Sequence, residues 1–507
     1  MPLNFTVRQR GGFMQSRMRW LFFWIAILSV VLMAARVPLD TDMWWHIKAG
    51  EISLANHQPL MTDVFSYTRS GISWINHSWL AEIILALLYN GLGYYGLTLF
   101  VVVLAVIPFI LLYFMMEGHP FLKAIFVIIG AALVSPVWSP RPQLFTLVGL
   151  AILVFMIDRY RKGRIKRLWA VPVLFAIWGN LHGGYFTGLL YLFFLLIGIL
   201  YERLLHGKPE DDILLQNRHI LLVTGISIPA LLVNANGFNI LKIPFSTVGV
   251  DILRNFINEW ASPDFHQPLL LIFLVVFLAF MFLLAANKEK FSADQLVPMF
   301  GFAVLAFYAK RNIAPFMIVM LPLFSHAFII WLKETGLPPM FTGLIEPAQY
   351  NWSMRDDVPL FMKLTNGVLV FLFACVVAGK FVYVSYPAVV EAYLGQQIPV
   401  QAYSEAEQLP RSGHLLNEYG WGGYQLMMYP DMPVFVDGRT DLFGDEIIGQ
   451  WMALIRAEGD YAVVLDRYDI DAVLLQPQRP LVRVLEDEGW HIKYQDNLAV
   501  LLSRPVN

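Results

Sequence analysis

Apolar runs long enough to cross a bilayer recur about eleven times in this 507-residue chain, and no other feature restricts its fold as severely. Inside lipid every backbone N–H and C=O must be satisfied within the chain, so such a run is a helix of roughly 20 apolar residues. The runs lie near 20–37, 95–116, 120–135, 143–158, 168–179, 184–201, 218–233, 268–285, 294–309, 314–332 and 366–386. Composition agrees, with 57% hydrophobic and only 15% charged residues, against about 45–50% and about 25% in soluble domains. The lipid bilayer is therefore one partner. A formal net charge of −2 argues against nucleic acid, whose phosphates require a basic face. Cys375 is the only cysteine, so neither an internal disulfide nor a cysteine-based metal site is available.

Charge sets the expected topology. The loop 158–167 carries six basic residues, Arg159, Arg161, Lys162, Arg164, Lys166 and Arg167, and positive loops stay cytoplasmic. Counting outward puts the N-terminus with Arg8, Arg10, Arg17 and Arg19 on that side, together with 202–217, Lys288-Glu289-Lys290 and 333–365. Trp20–Val37 is long enough to span and no small-residue cleavage site follows it, so it reads as a retained first helix. Parity rests on Trp79–Tyr89, which is apolar but only about two-thirds of a span long and carries Glu82. We read it as an interfacial or re-entrant helix. If it crossed, the basic loop would lie outside.

With that topology one face collects the unusual residues. Asp40-Thr41-Asp42-Met43-Trp44-Trp45-His46, Asn76-His77, Arg141-Pro142-Gln143, Asn180-Leu181-His182-Gly183-Gly184, Asn234-Ala235-Asn236, Glu259-Trp260 and Lys310-Arg311-Asn312 all fall outside. Beyond residue 388 short apolar runs alternate with helical patterns. Strands are expected at His414–Asn417, Pro433–Asp437, Ala472–Leu475, His491–Tyr494 and Leu498–Leu502, and helices near 445–457, 460–468 and 480–488. The expected organisation is a mainly α, polytopic membrane region over 1–387, with 38–94 as its first outer loop. An extracytoplasmic α/β domain follows over 388–507.

The outer residue types suggest a chemistry. A carboxylate at a membrane surface can take the proton of an incoming hydroxyl, which makes Asp40 and Asp42 candidate catalytic bases. The planar fork of arginine matches phosphate oxygens, which makes Arg141 and Arg311 candidate substrate contacts. His46, His77, His182 and Glu259 complete the candidate binding set. Trp44, Trp45, Trp74 and Trp79 offer flat faces for sugar rings or a lipid chain, and equally suit the role of interfacial anchors. His46 and His77 with Asp40 and Asp42 are metal-ligand types, but their spacing is no recognised metal pattern. No metal ligand is assigned, and a divalent cation stays open as a cofactor. Asp437-Gly438-Arg439-Thr440-Asp441 reads as a salt-bridged turn or a substrate contact.

The strings DTDMWWHIKAGEI, FSYT, WINHSWLAEIILALLY, SPRPQLFT, NLHGG and FVDGRTDLFG resemble a bacterial GT-C-like group of membrane proteins, over most of the chain. An outer loop that follows the first transmembrane helix and opens with Asp-x-Asp is similar to the GT-C superfamily. That resemblance implies a GT-C-like core; with the topology from loop charge, the leading reading is an inverting glycosyltransferase of the inner (cell) membrane with its N-terminus cytoplasmic. It would use a polyprenyl-phosphate-linked sugar donor and a glycan, lipid or protein acceptor. The family's first-loop acid falls on Asp40 or Asp42. A glycan ligase or polymerase using a lipid diphosphate fits the same residues. From other classes, a transporter or a non-catalytic scaffold remains open.

Overall fold

The computed structural model describes residues 12–206, 217–248, 258–287, 291–335, 360–410 and 412–505. Every expected apolar run holds a helix. Seven helices among the described residues are long and apolar enough to cross a membrane, including Tyr94–Met115, Gln143–Arg161, Pro268–Ala286 and Leu360–Ser385. Four expected spans are shorter apolar helices, Trp20–Ala34, Ala170–Leu181, Arg218–Ala230 and Ala293–Tyr308. The chain is a mainly α, multi-pass membrane protein. The expected cytoplasmic stretches 202–217 and 333–365 lie largely outside the described residues, and Lys288-Glu289-Lys290, Arg8 and Arg10 lie wholly outside them.

Local signals set the helix ends. Pro120 and Pro268 open their helices, where the missing N–H costs nothing. Ser292 and Gln295 form a reciprocal capping box ahead of Ala293–Tyr308. Gly93, at φ 58°, separates Trp79–Leu92 from Tyr94–Met115, a left-handed turn that costs glycine little.

Trp79–Leu92 packs along Met43–Ala55, the helix that follows Asp42. Gly50 permits that approach, because a Cβ there would strike the backbone of Glu82. The tryptophans resolve here too. Trp44, Trp45 and Trp74 are 1%, 6% and 3% exposed, so they build the core of this outer loop rather than anchor it in lipid.

After Leu360–Ser385 come helices Pro387–Leu394 and Val400–Gln408, then a four-stranded sheet. Its strands are β1 (His414–Asn417), β2 (Ile470–Leu475), β3 (His491–Gln495) and β4 (Val500–Ser503), in the order β1-β2-β4-β3. β1 runs parallel to β2, and the remaining pairs are antiparallel. The β3–β4 hairpin turns at Asp496, whose carboxylate accepts the N–H groups of Leu498 and Ala499 at 2.7 Å each. Helices Thr440–Ile455, Tyr461–Arg467 and Pro480–Asp487 stand where the pattern placed them. Pro433–Asp437 differs from the expectation. It joins no strand of the sheet and pairs instead with the first outer loop, through one parallel bridge between Ser66 and Val434. Tyr67 N–H donates to the Val434 carbonyl at 3.1 Å, and Val434 N–H to the Phe65 carbonyl at 3.0 Å.

One apolar core runs from the membrane helices into this last segment and includes Trp44, Tyr403, Leu415 and Leu474. Trp44 meets Tyr424 edge-on at 5.5 Å.

Candidate active site

Arg439 fastens the last segment to the first loop. Its guanidinium donates to both oxygens of Asp437 (2.7–3.1 Å) and to Asp63 at 2.6 Å. Asp63 also accepts from the N–H and hydroxyl of Ser66, at 3.2 and 2.7 Å. Both ion pairs have 0% side-chain exposure, and the guanidinium lies 4.9 Å from the Phe65 ring and 5.2 Å from that of Trp74. Burial alone would lower the Arg439 pKa, but Asp437 and Asp63 raise it above the ordinary arginine value. The stretch 437–441 is thus a salt-bridged turn.

That turn also walls a cavity of about 680 Å³, shared by Asp42, His46, His77, Arg141, His182, Glu259 and Arg311 with Tyr419, Gly438, Thr440 and Asp441. Loops widely separated in sequence therefore meet at one place. Among the described residues, an even number of the expected membrane spans separates Met43–Ala55 from each later loop on this cavity only if Trp79–Leu92 does not cross. The loops are tied together as well. Trp79 Nε1 donates to Asn180 at 3.0 Å, Asn180 to the Val233 carbonyl at 2.7 Å, and Asn236 to the Asn76 carbonyl at 2.9 Å.

Arg141 is ringed by carboxylates, one at each nitrogen: Asp40 at Nε (3.4 Å), Asp42 at Nη1 (2.6 Å) and Glu259 at Nη2 (2.8 Å). Expected as a phosphate contact, it faces three acids, although its buried Nε makes no hydrogen bond. Asp42 precedes the first turn of Met43–Ala55, and its N–H donates to Asp40 Oδ1 at 2.9 Å. Asp40 holds this turn but does not line the cavity. Burial pushes the Asp42 carboxyl up to about 6; Arg141 pulls it down, while Asp40 and Glu259 push it up. Asp42 Oδ2 takes the Arg141 bond, while Oδ1 accepts no donor among the described residues. Gly438 lies beside Oδ1, and a Cβ there would overlap it. Trp45 Nε1, close to the same point, is buried with no partner.

Arg311 is the other cation on the cavity. It stacks on Trp260 at 4.6 Å and forms no ion pair among the described residues, although the Glu259 charge acts on it.

The three expected histidines converge, each in a different state. His46 contacts Glu82 at 3.1 Å, and Asn76 donates to the other Glu82 oxygen at 2.6 Å. Burial pushes Glu82 up to about 8 and pulls His46 well below its ordinary value, so near neutral pH this is a hydrogen bond between neutral groups. His182 Nδ1 accepts the Gly184 N–H at 3.0 Å and contacts Thr146 Oγ1 at 2.8 Å. That assigns the ring proton to Nε2, a donor without a partner among the described residues. Burial also holds His182 neutral. His77 packs 5.7 Å from His182, and its buried Nδ1 lies 3.8 Å from Asp441 without a hydrogen bond.

No protein-family model and no curated protein matches this sequence. The structure is similar to the oligosaccharyltransferase of Archaeoglobus fulgidus, solved with a tethered acceptor peptide containing the NVT sequon. The TM-score is 0.56 at 10% identity, over 90% of this chain and 69% of that one. It is also similar to ArnT of Cupriavidus metallidurans, solved bound to undecaprenyl phosphate, with a TM-score of 0.46 at 12% identity over 96% of this chain and 98% of that one. This chain has a GT-C-type fold. Sequence reading missed Glu82 as a support of the site, whereas Gly438 and Asp441 belong to the stretch read as a salt-bridged turn or a substrate contact.

Among the described residues, no group of three or more His, Cys, Asp or Glu is arranged to hold a metal ion. The carboxylates that would supply one, Asp40, Asp42 and Glu259, enclose a guanidinium instead. The divalent cation left open by the sequence therefore does not fit these residues, and no step below is derived through it.

Proposed function

We propose that this cavity catalyses inverting transfer of a sugar from a polyprenyl-phosphate-linked donor to a hydroxyl of a glycan, lipid or protein acceptor. Asp42 Oδ1 takes the hydroxyl proton while the acceptor oxygen attacks the anomeric carbon. The bond from that carbon to the phosphate oxygen breaks on the opposite face, and polyprenyl phosphate leaves with the electron pair. Arg311 meets the charge growing on the departing phosphate, and the His182 Nε2–H adds a neutral donor. Asp40 and Arg141 hold Asp42 in place.

One observation carries this reading: Asp42, with one oxygen that accepts no hydrogen bond among the described residues, and Arg311, which forms no ion pair among them, line the same cavity. A base with a pKa near 6 is better matched to proton abstraction near neutrality than an ordinary aspartate. The GT-C-type fold supports the reaction class. The six-positive loop supports a cytoplasmic N-terminus in a bacterial inner membrane, with the cavity and residues 388–507 outside.

The test compares cells lacking the protein with cells expressing wild type, Asp42→Asn or Asp40→Asn at matched levels. Lipid-linked sugars are profiled by mass spectrometry. Asp42→Asn should match the deletion and accumulate a sugar-charged polyprenyl phosphate, as expected if transfer falls by about 10²–10⁴-fold. Asp40→Asn should lose less. A wild-type profile in Asp42→Asn, with a clear deletion phenotype, rejects the reading.

A further inference from the structure

Three carboxylates brought together in a partly buried cavity repel one another, and a site of this kind ordinarily recruits a divalent cation to hold them. Here the centre of the group is already filled. The three nitrogens of Arg141 each face a different acid, Asp40, Asp42 and Glu259, at 3.4, 2.6 and 2.8 Å. The acids come from two segments far apart in sequence, and Arg141 comes from a third. Its side chain is 15% exposed, so it is held within the wall rather than waving into solvent. Gln143 accepts from Nη2 at 3.1 Å and helps fix the plane of the fork.

We propose that the Arg141 guanidinium is a built-in cation that takes the place of a divalent metal in this cavity. It gathers the three acids, aims Asp42, and holds the position between them that an ion would need. Arg141 is in this sense a positioning residue. Its single charge is outnumbered by the acids it serves, which leaves Arg311 as the cation available to a substrate. One uncommitted guanidinium matches the single charge of a sugar–lipid phosphodiester. A diphosphate-linked donor would bring further charge with no partner in the cavity. This last statement rests on the proposed transfer reaction, whereas the exclusion of metal does not.

The experiment uses the full-length protein in detergent and Mn²⁺ as the probe. Uptake is read from loss of the free-ion electron paramagnetic resonance signal, and folding from the melting curve of each sample. Wild type should take up no Mn²⁺ that Asp42→Asn removes. Arg141→Met keeps the length of the side chain without its charge. It should gain a Mn²⁺ site that disappears when Asp42→Asn is added, while Arg141→Lys should gain none. If Arg141→Met does not fold, Arg141→Gln serves in its place. Where sugar transfer is measurable, wild-type turnover should be the same in chelator as in Mg²⁺, and Arg141→Lys should recover part of the activity that Arg141→Met loses. Stoichiometric Mn²⁺ on wild type that Asp42→Asn abolishes overturns the proposal. So does a folded charge-free variant that takes up none. An absence of sugar transfer in wild type counts against the transferase reading alone, because the Mn²⁺ readout does not depend on it.

Discussion

Two arginines in this protein gather acids from distant parts of the chain, and they do it in opposite ways. Arg439 has two partners, Asp63 and Asp437, and the whole group has no side-chain exposure. Bidentate bonds, ring faces and extra donors to Asp63 leave the carboxylates well satisfied. Arg141 has three partners, and their exposures run from 15% for Asp40 to 43% for Glu259. One of these acids keeps an oxygen free. Balance makes the first cluster a rivet. Excess negative charge and an open side make the second a place where a proton can be exchanged.

Breaking the rivet should have the largest effect. Arg439→Met leaves Asp63 and Asp437 buried without a cation and should cost about 3–5 kcal/mol, read as a lower melting temperature with early proteolysis beyond residue 387. Arg311→Gln tests the open side. It removes no ion pair, so the melting curve should stay in place while kcat falls by about 10²–10³-fold. Gly438→Ala connects the two clusters, because it leaves Arg439 intact and pushes a methyl group against Asp42 Oδ1. Overpacking of that kind costs about 1–3 kcal/mol, and here it should appear mainly as a lower kcat/KM. Gly225→Ala, where a Cβ meets nothing within 4 Å, is the neutral control. The smallest effect is a pH limb. Asp42 must be ionised to act and is raised to about 6, so kcat/KM should rise with pH and level off above that value. Below it the loss should be about tenfold per unit, and a limb near 4 would mean that another carboxylate is the base.

The spans were legible because bilayer thickness acts over short windows. Asp42, Arg141, His182, Glu259 and Arg311 line one cavity, as loops at the same side of a helix bundle can. Their pairing was not legible. Arg141 looks like a phosphate contact until Glu259, 118 residues away, is found on the same guanidinium. Pro433–Asp437 has the composition of a strand, yet its hydrogen-bonding partners lie in the first loop, and Arg439 reaches Asp63 across 376 residues. Glu82 read as the acid that keeps a short helix out of the membrane. Its contact with His46 depends on how two helices pack, which periodicity does not report.

The cavity wall includes Gly438, Thr440 and Asp441, which follow every membrane helix in the chain. During synthesis the early acids, Asp40 and Asp42, emerge first and wait for a wall that is made last. An insertion intermediate, however many of its helices are in place, has an unfinished chamber. On the proposed function, a chain cut short before Gly438 lacks part of the cavity wall and should transfer no sugar.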